Sequence, residues 1–174
     1  MDLVTRTLPS PVGELLLVAT KDALAGVYFP DHQPAPAADV LAAPRAARHD
    51  VLDLACRQLD EYFAGARRTF DLPVAARGTP FQQAVWDALA RIPFAATWSY
   101  GDLARAIGKP AAARAVGAAN SRNPLSIVVP CHRVIGTRGD TIGYAGGKGA
   151  KEWLLAHEAR LGPQQARSAD AVLL

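Results

Sequence analysis

The sequence predicts an α+β fold: a small antiparallel sheet with a helix in the N-terminal part, then a mostly helical C-terminal part holding a helix-turn-helix. Three observations lead there. VTRTL, ELLLVAT and LAGVYF are short β-rich runs separated by PSPVG and KDA, segments of typical turn residues. From His49 the hydrophobic period becomes helical, and it is helical again beyond Thr79. Gly108-Lys109-Pro110 then breaks one short helix directly before another, the pattern of a helix-turn-helix. A chain of 174 residues, 50% of them hydrophobic, can bury one sizeable core, or a modest domain plus a smaller one.

The elements follow in order. The first 30 residues form a β-meander, and the Pro/Ala-rich stretch DHQPAPAADVLAAP reads as a loop or linker. Over His49–Gly65, Leu52, Cys56, Leu59 and Phe63 share one helix face, with Gly65 as the stop, so Cys56 reads as a packed core residue. RRTFDLPV could add a strand. Thr79-Pro80-Phe81-Gln82 starts a helix well, with threonine as cap, proline at the first turn and glutamine to complete a capping box. Phe81, Val85, Leu89 and Ile92 form its inner face. Ser99-Tyr100-Gly101-Asp102 repeats the capping logic for a short helix through Ile107. AAARAVGAAN is the next helix, and a last one runs from about Ala150 to Leu161. The expected domains are 1–78 and 79–162, with 163–174 as a tail.

Composition narrows the function classes. Two cysteines, Cys56 and Cys131, cannot build a disulfide framework, and neither belongs to a CxxC pair. MDLVTRTLPSP lacks a basic region followed by an apolar segment, and no apolar run approaches the roughly 20 residues of a bilayer span. The expectation is a cytoplasmic protein with no membrane contact. Residues 1–90 carry net charge −3 and residues 91–174 net +6, so a polyanion partner would meet the C-terminal part.

The chemistry concentrates in SIVVPCHRVIG, where Ile127–Val129 suits a buried strand and Cys131, His132 and Arg133 follow Pro130. Glu158 interrupts the apolar stripe Leu154, Leu155, Leu161, and a carboxylate there needs a partner. His132 is one candidate, which would make Cys131, His132 and Glu158 a nucleophile, a base and an orienting carboxylate. The alternative is a glutamate with its own local partner. Trp153 and His157 read as a structural pair. The helix from Ala111 presents alanines, Gly117 and one charge, Arg114, a slim surface suited to approaching a phosphate backbone rather than reading base edges. Small residues also simply let helices pack closely. The glycine-rich GTRGD and TIGYAGGKG lack a P-loop context. On these residues a cysteine hydrolase, a non-catalytic lesion binder or a helix-turn-helix regulator would still be open.

PCHRVIG, preceded by ARAVGAANSRNP and followed by GYAGG and KEWLLAHE, resembles the O6-alkylguanine-DNA alkyltransferase family, the methylated-DNA–protein-cysteine methyltransferases. The similarity is dense from Thr79 to Leu161 and looser before it. It implies a ribonuclease-H-like N-terminal domain and a winged-helix-like helix-turn-helix. It further implies direct reversal of damage: the alkyl group of O6-alkylguanine, and of O4-alkylthymine, passes irreversibly to Cys131 after base flipping in double-stranded DNA. The protein would be a monomer acting once per molecule, with no cofactor.

The resemblance also assigns residues. Cys131 matches the alkyl acceptor, His132 the histidine that reaches it through water, and Glu158 the carboxylate holding that histidine. Asn123 matches the asparagine tying the helix-turn-helix to the active-site loop. Tyr100 matches a tyrosine at the base and target phosphate, and Arg114 the arginine that fills the gap left by the flipped base. Ala113, Asn120 and Ser121 would lie along the DNA. Val134 would offer its carbonyl to the guanine amine, Tyr144 would wall the pocket, and the Ala145 N–H would face O6. Ser126 stands where a human relative has a proline in the pocket, and Ala145 replaces a serine. With only Cys56, His32 and His49 in the N-terminal part, no metal is expected. The His132–Glu158 pair is expected to lower the Cys131 pKa from about 8.5.

Overall fold

The computed structural model describes residues 2–139 and 143–163. Three strands, β1 (Val4–Leu8), β2 (Leu15–Ala19) and β3 (Leu24–Tyr28), form an antiparallel meander in the order β1-β2-β3. Leu8 faces Leu15 at the first turn, and Leu16 faces Tyr28 across the second pair. Leu15, Leu17, Leu24 and Val27 are fully buried, so the alternation of the strands sets one face against the core. The Pro/Ala-rich stretch read as a loop contains a four-residue helix, α1 (Ala38–Leu41), where Val40 finds a small apolar cluster with Leu3 and Val18. The stretch read as a further strand, RRTFDLPV, makes only a single bridge, Leu24 with Val74. Pro73 supplies a carbonyl there but has no N–H to extend a ladder.

Helix α2 (Asp50–Phe63) lies on this sheet, its N-terminus capped by His49, whose ring accepts the Leu52 N–H at 3.4 Å. Its buried side is Val51, Leu52, Ala55, Gln58, Leu59 and Tyr62. Cys56 and Phe63 are half-buried, one position off the expected stripe. Arg6 of β1 occupies that flank, reaching Asp53 and the Ala46 and Ala47 carbonyls.

The C-terminal half begins with α3 (Pro80–Leu89), whose predicted capping box is present: Thr79 and Gln82 exchange side chain-to-backbone bonds of 3.1 and 3.0 Å. β4 (Trp98–Ser99) leads into α4 (Tyr100–Ala106), capped reciprocally by Ser99 and Asp102. Gly108, at φ 72°, makes the turn into α5 (Ala113–Ser121), a conformation that costs glycine little. The Trp86 indole of α3 donates to the Ala119 carbonyl of α5 at 2.9 Å and locks the two helices together. A 3₁₀ turn (Cys131–Arg133), β5 (Val134–Ile135) and α6 (Lys148–Leu161) complete the fold. One continuous core joins both halves, from Leu15 and Leu59 to Val85, Leu103, Leu125 and Leu154. The tail expected from 163 onward lies, apart from Pro163, outside the described residues.

Between the halves, Val27 donates to Pro124 at 2.8 Å, Gln33 donates to Ala145 at 2.9 Å, and Phe29 packs edge-on against Tyr144. Gly146 sits so close to Phe29 that an added Cβ would overlap the ring. Gly146→Ala is therefore expected to displace Phe29 and cost about 1–3 kcal/mol of stability in urea unfolding, the usual range for overpacking. An unchanged midpoint would contradict this close packing.

Candidate active site

The segment before Cys131 is not a strand. Ile127 adopts φ 73°, Val128 donates to Ser126 at 2.9 Å, and Val129 donates to Leu125 at 2.8 Å, so the chain folds into a tight buried turn. Ile127 is nonetheless 1% exposed, which offsets a backbone conformation that β-branched residues rarely adopt. Asn123 fixes this turn to the end of α5: its amide donates to the Val129 carbonyl at 2.9 Å and its oxygen accepts from Leu125 at 3.0 Å. Beyond Pro130, the parallel pairing of Trp98 with Val134 and Ser99 with Ile135 brings the Cys131 turn beside the start of α4. Tyr100, the first residue of α4, is half-buried against α5, its ring beside Gly117.

Cys131 is 2% exposed, with Sγ 3.8 Å from the Tyr144 hydroxyl. Burial pushes its pKa up, and Asn123, the Tyr144 hydroxyl and the Lys151 charge oppose this only in part. This corrects the expectation that the histidine–glutamate pair lowers it: at rest the thiol keeps its proton. Burial also raises Tyr144 well above the ordinary tyrosine range, so it remains a phenol able to donate.

His132 and Glu158 meet as expected, Nε2 to Oε2 at 2.6 Å, and both are buried. Glu158 also accepts from the Tyr62 hydroxyl at 2.7 Å, from Arg133 at 2.7 and 3.2 Å, and from the Ala95 N–H at 3.1 Å. Burial would raise its pKa, but the hydrogen bonds from His132 and Arg133 and the Arg133 charge outweigh that and hold it well below the carboxylate range. Burial lowers the His132 pKa despite Glu158, and the Arg133 and Lys151 charges add to the lowering. The consistent state is an ionised Glu158 beside a neutral His132 that donates from Nε2. Its Nδ1 is then a buried acceptor, and it has no protein partner among the described residues.

Three functional neighbours escaped the sequence reading. Lys151 is 1% exposed; its Nζ donates to the Val134 carbonyl at 2.5 Å and lies 5.6 Å from the centre of the Tyr144 ring. Its spacing from Leu154 and Glu158 puts it on their helix face, a signal available in the sequence. Arg133 pairs with Glu158 and donates to the Ile92 carbonyl at 2.7 Å. Tyr62 comes from the other half of the chain, which no local pattern reveals. His157 is structural, as expected: it stacks on Trp153 and bonds the Tyr62 carbonyl at 2.8 Å.

The remaining predicted residues separate. Arg114 is exposed on α5, whereas Ala113 and Ser121 are half-buried. Asn120 lies with Val116 and Ala119 on the inner face of α5 and is 4% exposed. Ser126 is fully buried, its hydroxyl without a partner among the described residues. Val134 and Ala145 are buried, the Ala145 carbonyl engaged by Gln33. His32 is buried with its Nδ1 accepting the Phe29 N–H, and His49 caps α2, so neither is gathered with Cys56.

The family model described as the 6-O-methylguanine DNA methyltransferase DNA binding domain matches residues 80–160, and that of the same family's ribonuclease-like domain matches residues 3–76. The constitutive methylated-DNA–protein-cysteine methyltransferase of Bacillus subtilis is 45% identical over 142 residues, covering 82% of this chain and 86% of the relative. A methylated-DNA–protein-cysteine methyltransferase of Methanosarcina acetivorans is 44% identical over 151 residues, covering 86% of this chain and 94% of the relative. Among solved structures, Mycobacterium tuberculosis OGT in complex with DNA superposes with a TM-score of 0.84 at 42% identity, over 92% of this chain and 95% of that one. A helix-turn-helix tied to a buried cysteine, together with relatives matched along nearly their whole length, leads to one conclusion: the chain belongs to the 6-O-methylguanine DNA methyltransferase family.

Proposed function

We propose that this protein repairs DNA by direct reversal, transferring the alkyl group of O6-alkylguanine to Cys131. The observation that carries this reading is a buried thiol joined through Asn123 to the helix-turn-helix and backed by the His132–Glu158 pair. A C-terminal domain of about 79–162 performs the reaction, a domain of about 1–78 supports it, and the protein acts on DNA in the cytoplasm.

The O6 alkyl carbon lies inside the duplex, so the base must turn out into the protein, at a cost of a few kcal/mol in lost stacking. Arg114, exposed on α5, enters the vacated stack and offsets part of that cost. The flipped base meets Tyr144, the Val134 carbonyl and the Ala145 N–H, with Ser126 nearby and Tyr100 between the ring and the target phosphate. Lys151 already holds the Val134 carbonyl, an oxygen with two lone pairs that would also take the guanine amine. His132 Nδ1 takes the thiol proton through water as the S–C bond forms and the O6–C bond breaks. The proton balance closes when the released guanine takes up one proton, and donors at the ring and at O6 stabilise its departing charge.

The product is a thioether, which has no carbonyl for water to attack. One transfer per molecule is therefore expected. With DNA containing excess O6-methylguanine, mass spectrometry should show a gain of about 14 Da on the Cys131 peptide, one CH₂ on a covalent nucleophile. Repair should stop at one equivalent. Continued turnover, or the mass gain on another residue, would overturn the assignment.

A further inference from the structure

The pair that activates Cys131 is not built from the C-terminal half alone. Glu158 Oε2 accepts two short bonds, from His132 Nε2 at 2.6 Å and from the Tyr62 hydroxyl at 2.7 Å. Tyr62 is fully buried on α2, 96 residues away in sequence, within an aromatic group of Phe63, Phe70, Phe94 and His157. Its backbone carbonyl accepts from His157, the residue before Glu158. Tyr62 thus touches α6 twice, at both residues of one helix step.

We propose that Tyr62 is a positioning residue of alkyl transfer: its hydroxyl holds the carboxylate oxygen used by His132 and limits how strongly Glu158 draws a proton onto the ring. This deepens the function proposed above and rests on it. A carboxylate oxygen shared between two donors stabilises an imidazolium less than one devoted to the histidine. The ring therefore stays neutral and able to receive the thiol proton.

Other charged or titratable groups face the pair. Arg133 bonds both carboxylate oxygens from the 3₁₀ turn. Lys151 approaches from α6, and Cys131 Sγ lies 3.8 Å from the Tyr144 hydroxyl. His157 contacts Tyr62, and Arg68 of the N-terminal half lies over Phe94. The Arg133 and Lys151 charges disfavour an imidazolium, so Tyr62 acts in the same direction as they do. It differs in being neutral and in coming from the other half of the chain.

The test uses the full-length protein and Tyr62→Phe, which keeps the ring and removes the hydroxyl. Single-turnover transfer from an O6-methylguanine duplex is measured from pH 5.5 to 9. In Tyr62→Phe the acid limb of the rate profile should move up by about one pH unit, the scale on which one hydrogen bond moves a titration. On the acid limb the rate should fall by up to about tenfold, with the high-pH rate retained. The ¹⁵N resonances of the His132 ring should report the same upward movement in titration. In the wild-type protein, the Tyr62 hydroxyl proton should give a downfield, slowly exchanging resonance that shifts as His132 titrates. This last measurement does not depend on a variant folding. A lowered melting temperature with an unmoved rate profile and unmoved His132 titration would make Tyr62 purely structural and overturn the proposal. So would a hydroxyl resonance indifferent to His132. A wild-type protein that transfers no alkyl group would instead overturn the function itself, while the two resonance measurements would still decide the link from Tyr62 to His132.

Discussion

Glu158→Gln is expected to be the most damaging single substitution in this protein, lowering stability by about 3–5 kcal/mol, as when one partner of a buried ion pair is removed. Arg133, 6% exposed, would lose its counter-charge, and Tyr62 and the Ala95 N–H would face a weaker acceptor. Total stabilities of about 5–15 kcal/mol make this a large fraction. Urea unfolding at pH 7.5 measures it, and a loss below about 1 kcal/mol would show that the network holds little of the fold together. Acid titration adds a second reading with a defined sign. The folded-state pKa of Glu158 lies below its ordinary value, so its stabilisation is complete above about pH 4.3 and is lost as the pH falls toward the folded value. His132 is also lowered, and burial pushes His32 down to about 4, so both likewise lose stability as the pH falls below about 6.5. The wild-type protein should therefore weaken in two stages on acidification. In Glu158→Gln the stage below about pH 4 should be smaller.

Cys131→Ser should abolish transfer without abolishing DNA binding. A serine hydroxyl does not ionise in the range open to a thiol, and even with His132 as base its oxygen is a weaker nucleophile than sulfur toward an alkyl carbon. The side chain is nearly isosteric and keeps the Tyr144 hydroxyl as a neighbour, so the helix-turn-helix and Asn123 stay where they are. After incubation with an O6-methylguanine duplex, intact-mass analysis should show no added methylene, while titration with the same duplex should give a dissociation constant within about threefold of wild type, or about 0.6 kcal/mol. Transfer by this variant would remove Cys131 from the mechanism. Loss of DNA binding would mean that the thiol region shapes the α5 surface, contrary to its separate burial.

Much of this was legible because it is local. The capping boxes at Thr79 and Ser99, the strand meander and the Gly108 turn are each written within a few residues, and each forms. The meeting of His132 with Glu158 was readable for a different reason: a carboxylate in an apolar stripe must find a donor. What stayed hidden depends on contacts far apart in sequence. Tyr62 reads as one more aromatic on α2, and only the packing of α2 on α6 turns its hydroxyl toward Glu158. The spacing of Lys151 puts it on the face of Leu154 and Glu158, but its partner, the Val134 carbonyl, comes from another segment. The burial of Asn120 likewise depends on which side of α5 packs on α3, the side that Trp86 fixes. The Ile127–Val129 run was misread because apolar character marks burial, and burial is equally available to a tight turn.

The protonated resting state of Cys131 has a consequence for a protein that works once. A thiolate open to solvent would react with peroxides and with free alkylating agents, each event removing a molecule from service without repairing a lesion. Here the sulfur is 2% exposed and its pKa is raised by its surroundings. Small electrophiles therefore meet a weak, shielded nucleophile. In the mechanism proposed above, the reagent is armed when a base enters and supplies the carbon to be attacked, while His132 takes the thiol proton. Dormancy is the condition under which a stoichiometric supply of acceptors outlasts the chemical stress that creates its substrate.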